Sequence, residues 1–207
     1  MYNSNQIEIA AKNLQKGNCI IYPTETLYAL GCSALYPDAT SRICKLKSRP
    51  VGKPLPVIIG NMQQLNALTE VSTYDFFHLI ERFWPGPLSI LVPGKGSLPA
   101  EIRDSSNMVC VRYSSSYIAQ KLCISADLPL IASSANKEGD LPPVFFQDVN
   151  PHLSEQVDQV LTQERQGGKN IPSTIVKILD RYKLQVIRQG AISRTALEQS
   201  GYTLVFE

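Results

Sequence analysis

A chain of 207 residues with 43% hydrophobic and 18% charged content can bury a core of its own, which excludes a disordered or low-complexity polymer. Its formal net charge of +2 is too small for wholesale coating of nucleic acid, so any basic surface has to come from local clustering.

The first element is expected to be a helix. Asn5 and Glu8 have capping-box spacing, Ile7, Ala11 and Leu14 share one face, and Gly17 can end it. Cys19-Ile20-Ile21-Tyr22 then reads as a buried strand stopped by Pro23. That places Thr24, Glu25 and Thr26 just past a strand end, where open α/β sheets carry their ligand groups. A second helix starts near Asp38, buries Ile43 and Leu46, and finishes before Pro50, because the residue preceding a proline avoids helical geometry.

Strands are expected over 55–59, 88–92, 108–112, 129–132, 174–179 and 183–188, with helices over 74–83 and 117–125. The turn-rich segments 140–143 and 165–172 read as surface loops. Without an internal repeat or a linker, residues 1–207 form one mixed α/β domain. The five cysteines are odd in number, scattered and without a CxxC pair, which argues against a disulfide framework or zinc site and for a reducing cytoplasm. The longest apolar segments fall far short of a membrane span, so a soluble cytoplasmic protein is expected.

Between Arg42 and Lys53 stand five cations, Arg42, Lys45, Lys47, Arg49 and Lys53, and no acid. Lysine supplies a mobile point charge and arginine a planar fork, which together suit a polyphosphate. Cations at a helix C-terminus are also favoured by the macrodipole, by about 0.3–1 kcal/mol each, and composition alone slightly favours a solvated helix end. Pro50-Val51-Gly52-Lys53-Pro54 shifts the balance, because two prolines and a glycine fix the backbone where the charges sit. Neither GxxxxGKS/T nor a GxGxxG after a strand occurs, so a nucleotide would be held without either common phosphate loop.

Ser133-Ser134-Ala135-Asn136 and Pro172-Ser173-Thr174 set small hydroxyls and an amide against strands, either as ligand contacts or as ordinary turn and cap residues. Arg188 either finishes a strand or reaches into a cleft. Phe83-Trp84-Pro85-Gly86-Pro87 is assigned to structure, its aromatics wedging a helix against the sheet. His78 and His152 are too isolated for metal ligation, no metal site is expected in the chain itself, and no Ser-His-Asp or Cys-His set is present.

In chain order, the segments Tyr22-Pro23-Thr24-Glu25-Thr26-Leu27-Tyr28-Ala29-Leu30-Gly31, Lys47-Ser48-Arg49-Pro50 and Trp84-Pro85-Gly86-Pro87 begin a series of recognisable motifs. With Val111-Arg112, Ser134-Ala135-Asn136, Pro172-Ser173-Thr174-Ile175 and Arg188-Gln189-Gly190-Ala191, they resemble the YrdC-like family of threonylcarbamoyl-adenylate synthases in its short, single-domain form. The resemblance covers nearly the whole chain. It implies a twisted mixed α/β sheet with flanking helices around a large electropositive cleft. The implied enzyme is a nucleotidyltransferase condensing L-threonine, bicarbonate and ATP to threonylcarbamoyl-AMP and pyrophosphate, for threonylcarbamoyladenosine modification of tRNA.

By matching position, the resemblance puts Thr26, Arg112, Ser134 and Ser173 near threonine. It puts Lys47, Arg49, Lys53, Asn136 and Arg188 near ATP, with Lys47 and Arg49 as the catalytic cations. Magnesium bound through ATP and a separate tRNA-modifying transferase complex are implied as well. Ala29 stands where the family usually has glycine, and Ile58 where some members carry a histidine near threonine. Two other readings are carried beside this one: a non-catalytic module binding tRNA or other structured RNA, and a paralogue acting on another carbamoyl or adenylate substrate.

Overall fold

Alternate residues of the central strands feed two separate cores, and this parity gives the molecule its layers. The computed structural model describes residues 4–50, 52–162 and 171–206. The chain runs α1 (Ser4–Gln15), β1 (Ile20–Pro23), β2 (Tyr28–Gly31), α2 (Pro37–Lys47), β3 (Val57–Ile59), α3 (Tyr74–Phe83), β4 (Leu88–Pro93), β5 (Met108–Tyr113) and α4 (Tyr117–Ala126). It continues through β6 (Leu130–Ile131), β7 (Ser133–Ser134), α5 (Pro151–Ser154), β8 (Gln159–Val160), β9 (Thr174–Asp180), β10 (Lys183–Arg188), α6 (Arg194–Gln199) and β11 (Thr203–Phe206).

Ile20, Tyr22 and Ile58 pack with Ala10 and Leu14 of α1 and with Ile118 and Leu122 of α4. Their strand neighbours Ile21, Val57 and Ile59 join the larger core of Ile43, Phe76, Leu79, Ile90 and Val176. Successive strand side chains face opposite sides, so strands covered on both faces read as continuous apolar runs. That is why Ile20-Ile21-Tyr22 and Val57-Ile58-Ile59 carry no polar alternation.

Hydrogen bonding divides the strands into two sheets, ordered β7-β2-β1-β8 and β11-β10-β9-β4-β5-β3-β6, where the sequence points to one. Ala132 alone separates β6 from β7, so the chain passes between sheets there, with Ala132 N–H donating to Pro56 O and Ala135 N–H to Tyr28 O, each at 2.9 Å. Pairing is mixed: β3 with β5 and β4 with β9 are parallel, whereas β4 with β5 and β9 with β10 are antiparallel.

Thr24, Glu25 and Thr26 lie just past the end of β1, as expected, and β1 and β2 form an antiparallel hairpin with these residues at its tip. Nothing in the sequence marks the short strands β2, β7 and β8 as strands, because two to four residues leave too little periodicity to detect. The helix at 74–83 and the strand at 183–188 lie where the pattern puts them, and the helix expected over 117–125 runs one residue further, to Ala126. Most of the loop expected at 165–172 falls outside the described residues.

Trp84 acts as the expected wedge: its ring lies edge-on to Phe76 at 5.8 Å, and Nε1–H donates to Leu88 O at 2.7 Å. The segment from Arg194 finishes the larger sheet, with β11 parallel on the edge of β10, and none of its described residues lines the cleft described below. All five thiols are free. Among the described residues no helix is long and apolar enough to cross a membrane.

Gly31 sits where the sheets meet. A Cβ built there would fall 2.2 Å from Ile131 O and 2.7 Å from the Tyr22 ring. We expect Gly31→Ala to lose about 1–3 kcal/mol in urea unfolding, because backbone and a buried ring cannot both yield. A loss below about 0.5 kcal/mol would mean that the sheets part freely at this point.

Candidate active site

Helix α2 ends in a left-handed residue, and this turn aims the cationic motif. Ser48 has φ 51° and ψ 41°, with its N–H and that of Arg49 capping the last carbonyls at Lys45 and Cys44. Lys47 stays in the last turn and is buried to 1% exposure, whereas Arg49 begins the loop beyond. The Lys47 ammonium donates to Ser134 O and Asn136 O, each at 2.5 Å, joining the helix end to the loop after β7. Arg49 braces its own loop, donating from Nε to Lys53 O at 2.8 Å and from Nη2 to Pro54 O at 2.7 Å. Burial, reinforced by the neighbouring Arg49 charge, lowers the Lys47 amine to about 8. Burial also lowers Arg49 from its ordinary value.

At the β1–β2 tip, the Thr24 hydroxyl donates to Leu27 O at 2.7 Å and accepts from the N–H groups of Thr26 and Leu27, each at 3.2 Å. The Thr26 hydroxyl lies 3.0 Å from that of Thr24. Glu25 points to the larger sheet, where its carboxylate accepts from Arg112 Nη1 and from the Ser114 hydroxyl. The ion pair is buried, with side chains 7% exposed for Arg112 and 12% for Glu25. Burial draws the Arg112 guanidinium down to about 10, which leaves it charged at neutral pH. A planar fork beside a carboxylate is rigid, and the donors outside that bond are oriented with it.

A third wall comes from the starts of β9 and the end of β10. Arg188 donates from Nε and Nη2 to Ser173 O at 3.2 and 2.8 Å and from Nη2 to the Ser173 hydroxyl at 3.1 Å, while that hydroxyl pairs with Ser89 Oγ at 2.9 Å. Asn136 completes the arrangement. Its amide nitrogen donates to Lys137 O and Asp140 O, which fixes the amide orientation. The remaining Oδ1 is buried without a hydrogen-bond partner, an acceptor suited to an N–H or O–H group and not to a phosphate oxygen.

These walls enclose a cleft of about 650 Å³, within the roughly 300–1,000 Å³ usual for small-molecule sites. All nine residues expected at the site, Thr26, Lys47, Arg49, Lys53, Arg112, Ser134, Asn136, Ser173 and Arg188, line it. Their roles toward particular ligands are a separate matter. Five cations and three carboxylates, Asp104, Glu138 and Asp140, share the lining, over an apolar floor including Leu91, Ile175 and Ile187. Among the described residues no group of three or more His, Cys, Asp and Glu side chains is placed to hold a metal ion.

Arg42 stands apart from this cleft and is no simple solvated cation. It donates to Asp158 Oδ2 at 2.5 Å and to Gln156 O at 2.8 Å, tying α2 to the approach to β8. The sequence places Glu25 at a ligand-bearing strand end but does not show its pairing with Arg112, and it gives no sign of Ser114, Ser89 or Glu138. Glu25 stood inside a quoted motif, but nothing in its spacing tells that its partner lies 87 positions away. Glu138 follows Asn136 by two residues and brings into the cationic loop the acid that the 42–53 segment lacks.

The fold and cleft define a mixed α/β protein whose small-molecule site is assembled from loops that no common nucleotide motif describes. Residues 12–190 match the family model Sua5_yciO_yrdC, described as "Telomere recombination", and the chain belongs to that family. A threonylcarbamoyl-AMP synthase of Vibrio cholerae is 33% identical over 186 residues, covering 89% of this chain and 97% of that protein. One of Pseudomonas putida is 35% identical over 190 residues, covering 92% and 100%. The crystal structure of P. abyssi Sua5 complexed with L-threonine is 28% identical with a TM-score of 0.88, covering 99% of this chain and 60% of that one. This chain therefore spans about three-fifths of the P. abyssi protein's length.

Two outcomes follow from the buried charges. Glu25→Ala would leave Arg112 buried without its counter-charge, so we expect a loss of about 3–5 kcal/mol in urea unfolding. A loss under about 1 kcal/mol would show that the pair behaves as an exposed one. For Lys47, the folded value of about 8 lies below its ordinary 10.5. Between these the unfolded chain binds more protons, so this group's contribution makes stability rise with pH from about 8 to 10.5 and level off below 8, where both states are protonated. We expect Lys47→Met to lose that rise; an identical slope in both proteins would contradict the burial of the charge.

Proposed function

We propose that this chain is a threonylcarbamoyl-AMP synthase, a nucleotidyltransferase that condenses L-threonine, bicarbonate and ATP. The observation that carries this reading is the convergence of a braced cationic loop, an oriented guanidinium and small hydroxyls on one cleft. Arg112 offers its fork to the threonine carboxylate, while Thr26, Ser134 and Ser173 supply neutral contacts to the amino acid. Lys47, Arg49, Lys53 and Arg188 face the phosphates. The unpartnered Asn136 Oδ1 accepts from a sugar hydroxyl or an amine of the nucleotide.

Two displacements make the product. The threonine amine attacks bicarbonate carbon, and loss of water leaves an N-carboxylate. A carboxylate oxygen then attacks the α-phosphorus, forming the mixed anhydride as the bond to pyrophosphate breaks. Charge grows on phosphate oxygens in this step, so fixed cations and positioning can supply the catalysis without a protein nucleophile. Magnesium carried by the triphosphate would neutralise part of the same charge; the donor set here fits an ion held by phosphate oxygens, not by a protein cage. In this reading residues 1–207 work as one domain in the cytoplasm, and the labile product passes to a separate transferase complex that modifies tRNA.

Pyrophosphate release is the direct test. It should require threonine and bicarbonate together, fall about 100-fold or more in Arg49→Ala, and stay within about threefold of wild type in Arg42→Ala. Release indifferent to threonine would overturn the reading. Salt-sensitive RNA binding that disappears in Lys47→Ala/Arg49→Ala, without any pyrophosphate release by the wild type, would favour a binding module in its place.

A further inference from the structure

The cationic loop holds an anion of its own. Glu138 Oε1 accepts a hydrogen bond from Lys53 Nζ, and Oε2 lies 3.9 Å from Arg49 Nη1. These are contacts between a two-oxygen anion and an ammonium and a guanidinium, the chemistry that a phosphate oxygen pair would present to the same donors. Glu138 lines the cleft together with Lys53 and Arg49, so the carboxylate and an incoming polyphosphate compete for one place.

We propose that Glu138 is a resident competitor for the polyphosphate, occupying Lys53 and Arg49 when the cleft holds no nucleotide and yielding them to ATP or pyrophosphate. The inference rests on the reading of the cleft as an ATP site. It adds a residue that lowers the affinity for polyphosphate while keeping the loop arranged to receive it.

Three features make displacement feasible. The Glu138 side chain is 32% exposed and that of Lys53 55%, so the pair can part into water at little cost. Glu138 is anchored through its backbone, N–H donating to Lys47 O at 3.0 Å, so the main chain stays put as the side chain swings. Gly139 follows in the left-handed region at φ +91°, with open space where a Cβ would stand. Glu138 also offsets repulsion among Lys47, Arg49 and Lys53, as shown by its raising effect on Lys47 and Arg49. A carboxylate in this position keeps three cations assembled before substrate arrives. It also re-forms its pair when pyrophosphate leaves, which favours product departure.

The test is calorimetric titration of inorganic pyrophosphate, and separately of a nonhydrolysable ATP analogue, into the wild type, Glu138→Gln and Glu138→Asp. Circular dichroism on each variant verifies the fold. Glu138→Gln, which keeps the shape and removes the charge, should bind pyrophosphate about tenfold more tightly than wild type. Glu138→Asp, which keeps the charge, should gain less than the glutamine variant. Equal or weaker pyrophosphate binding by Glu138→Gln overturns the proposal, since a carboxylate that assisted the ligand would leave that result. If neither probe binds the wild type, the ATP reading beneath it falls as well, and the two failures are told apart.

Discussion

Lys47 is almost fully buried, and its ammonium directs two donors to the carbonyls of Ser134 and Asn136. An unpaired charge at that depth would be strongly unfavourable, so the helix end and the loop after β7 are bound to each other's position. The left-handed Ser48 makes this arrangement compatible with a charged residue directly beyond. Arg49 and Lys53 then take their places on a loop pinned at its base. The cationic cluster is a consequence of one buried contact more than of its composition.

The same logic recurs at the other walls. Arg112 is held by Glu25, whose carboxylate also accepts from the Ser114 hydroxyl, and Arg188 by Ser173, whose hydroxyl is paired with Ser89. Each cation of the cleft thus has an oriented protein partner before any ligand arrives. Fixed donors of this kind need little reorganisation as charge develops, which is the property wanted at a phosphoryl centre. Their cost is desolvation, visible in the lowered values of Lys47, Arg49, Arg112 and Arg188.

The identity of the lining was legible through the resemblance of the whole motif series, because each hydroxyl, amide or cationic motif taken alone reads equally well as a turn, a cap or a solvated helix end. The longer elements were legible too, since α3 and β10 have a full period to show. What remained hidden depends on pairing. Glu25 and Arg112 are far apart in sequence, and only the meeting of the hairpin tip with β5 makes them one unit. The division into two sheets was hidden for a similar reason: Ala132 marks the crossing, and a single small residue carries no signal of it. Arg42 looked like a solvated cation because Asp158 is more than 100 positions away. Glu138 was passed over because an acid two residues after an amide reads as an ordinary surface charge.

The central claim is that one cleft receives the amino acid and the nucleotide together. Calorimetric titration of L-threonine, with and without a saturating nonhydrolysable ATP analogue, measures this directly, because ligands meeting in one compartment couple their affinities. The expected result is saturable threonine binding whose affinity changes in the presence of the analogue and is lost in Arg112→Ala. Threonine binding that is absent under both conditions, or that persists unchanged in Arg112→Ala, would contradict it.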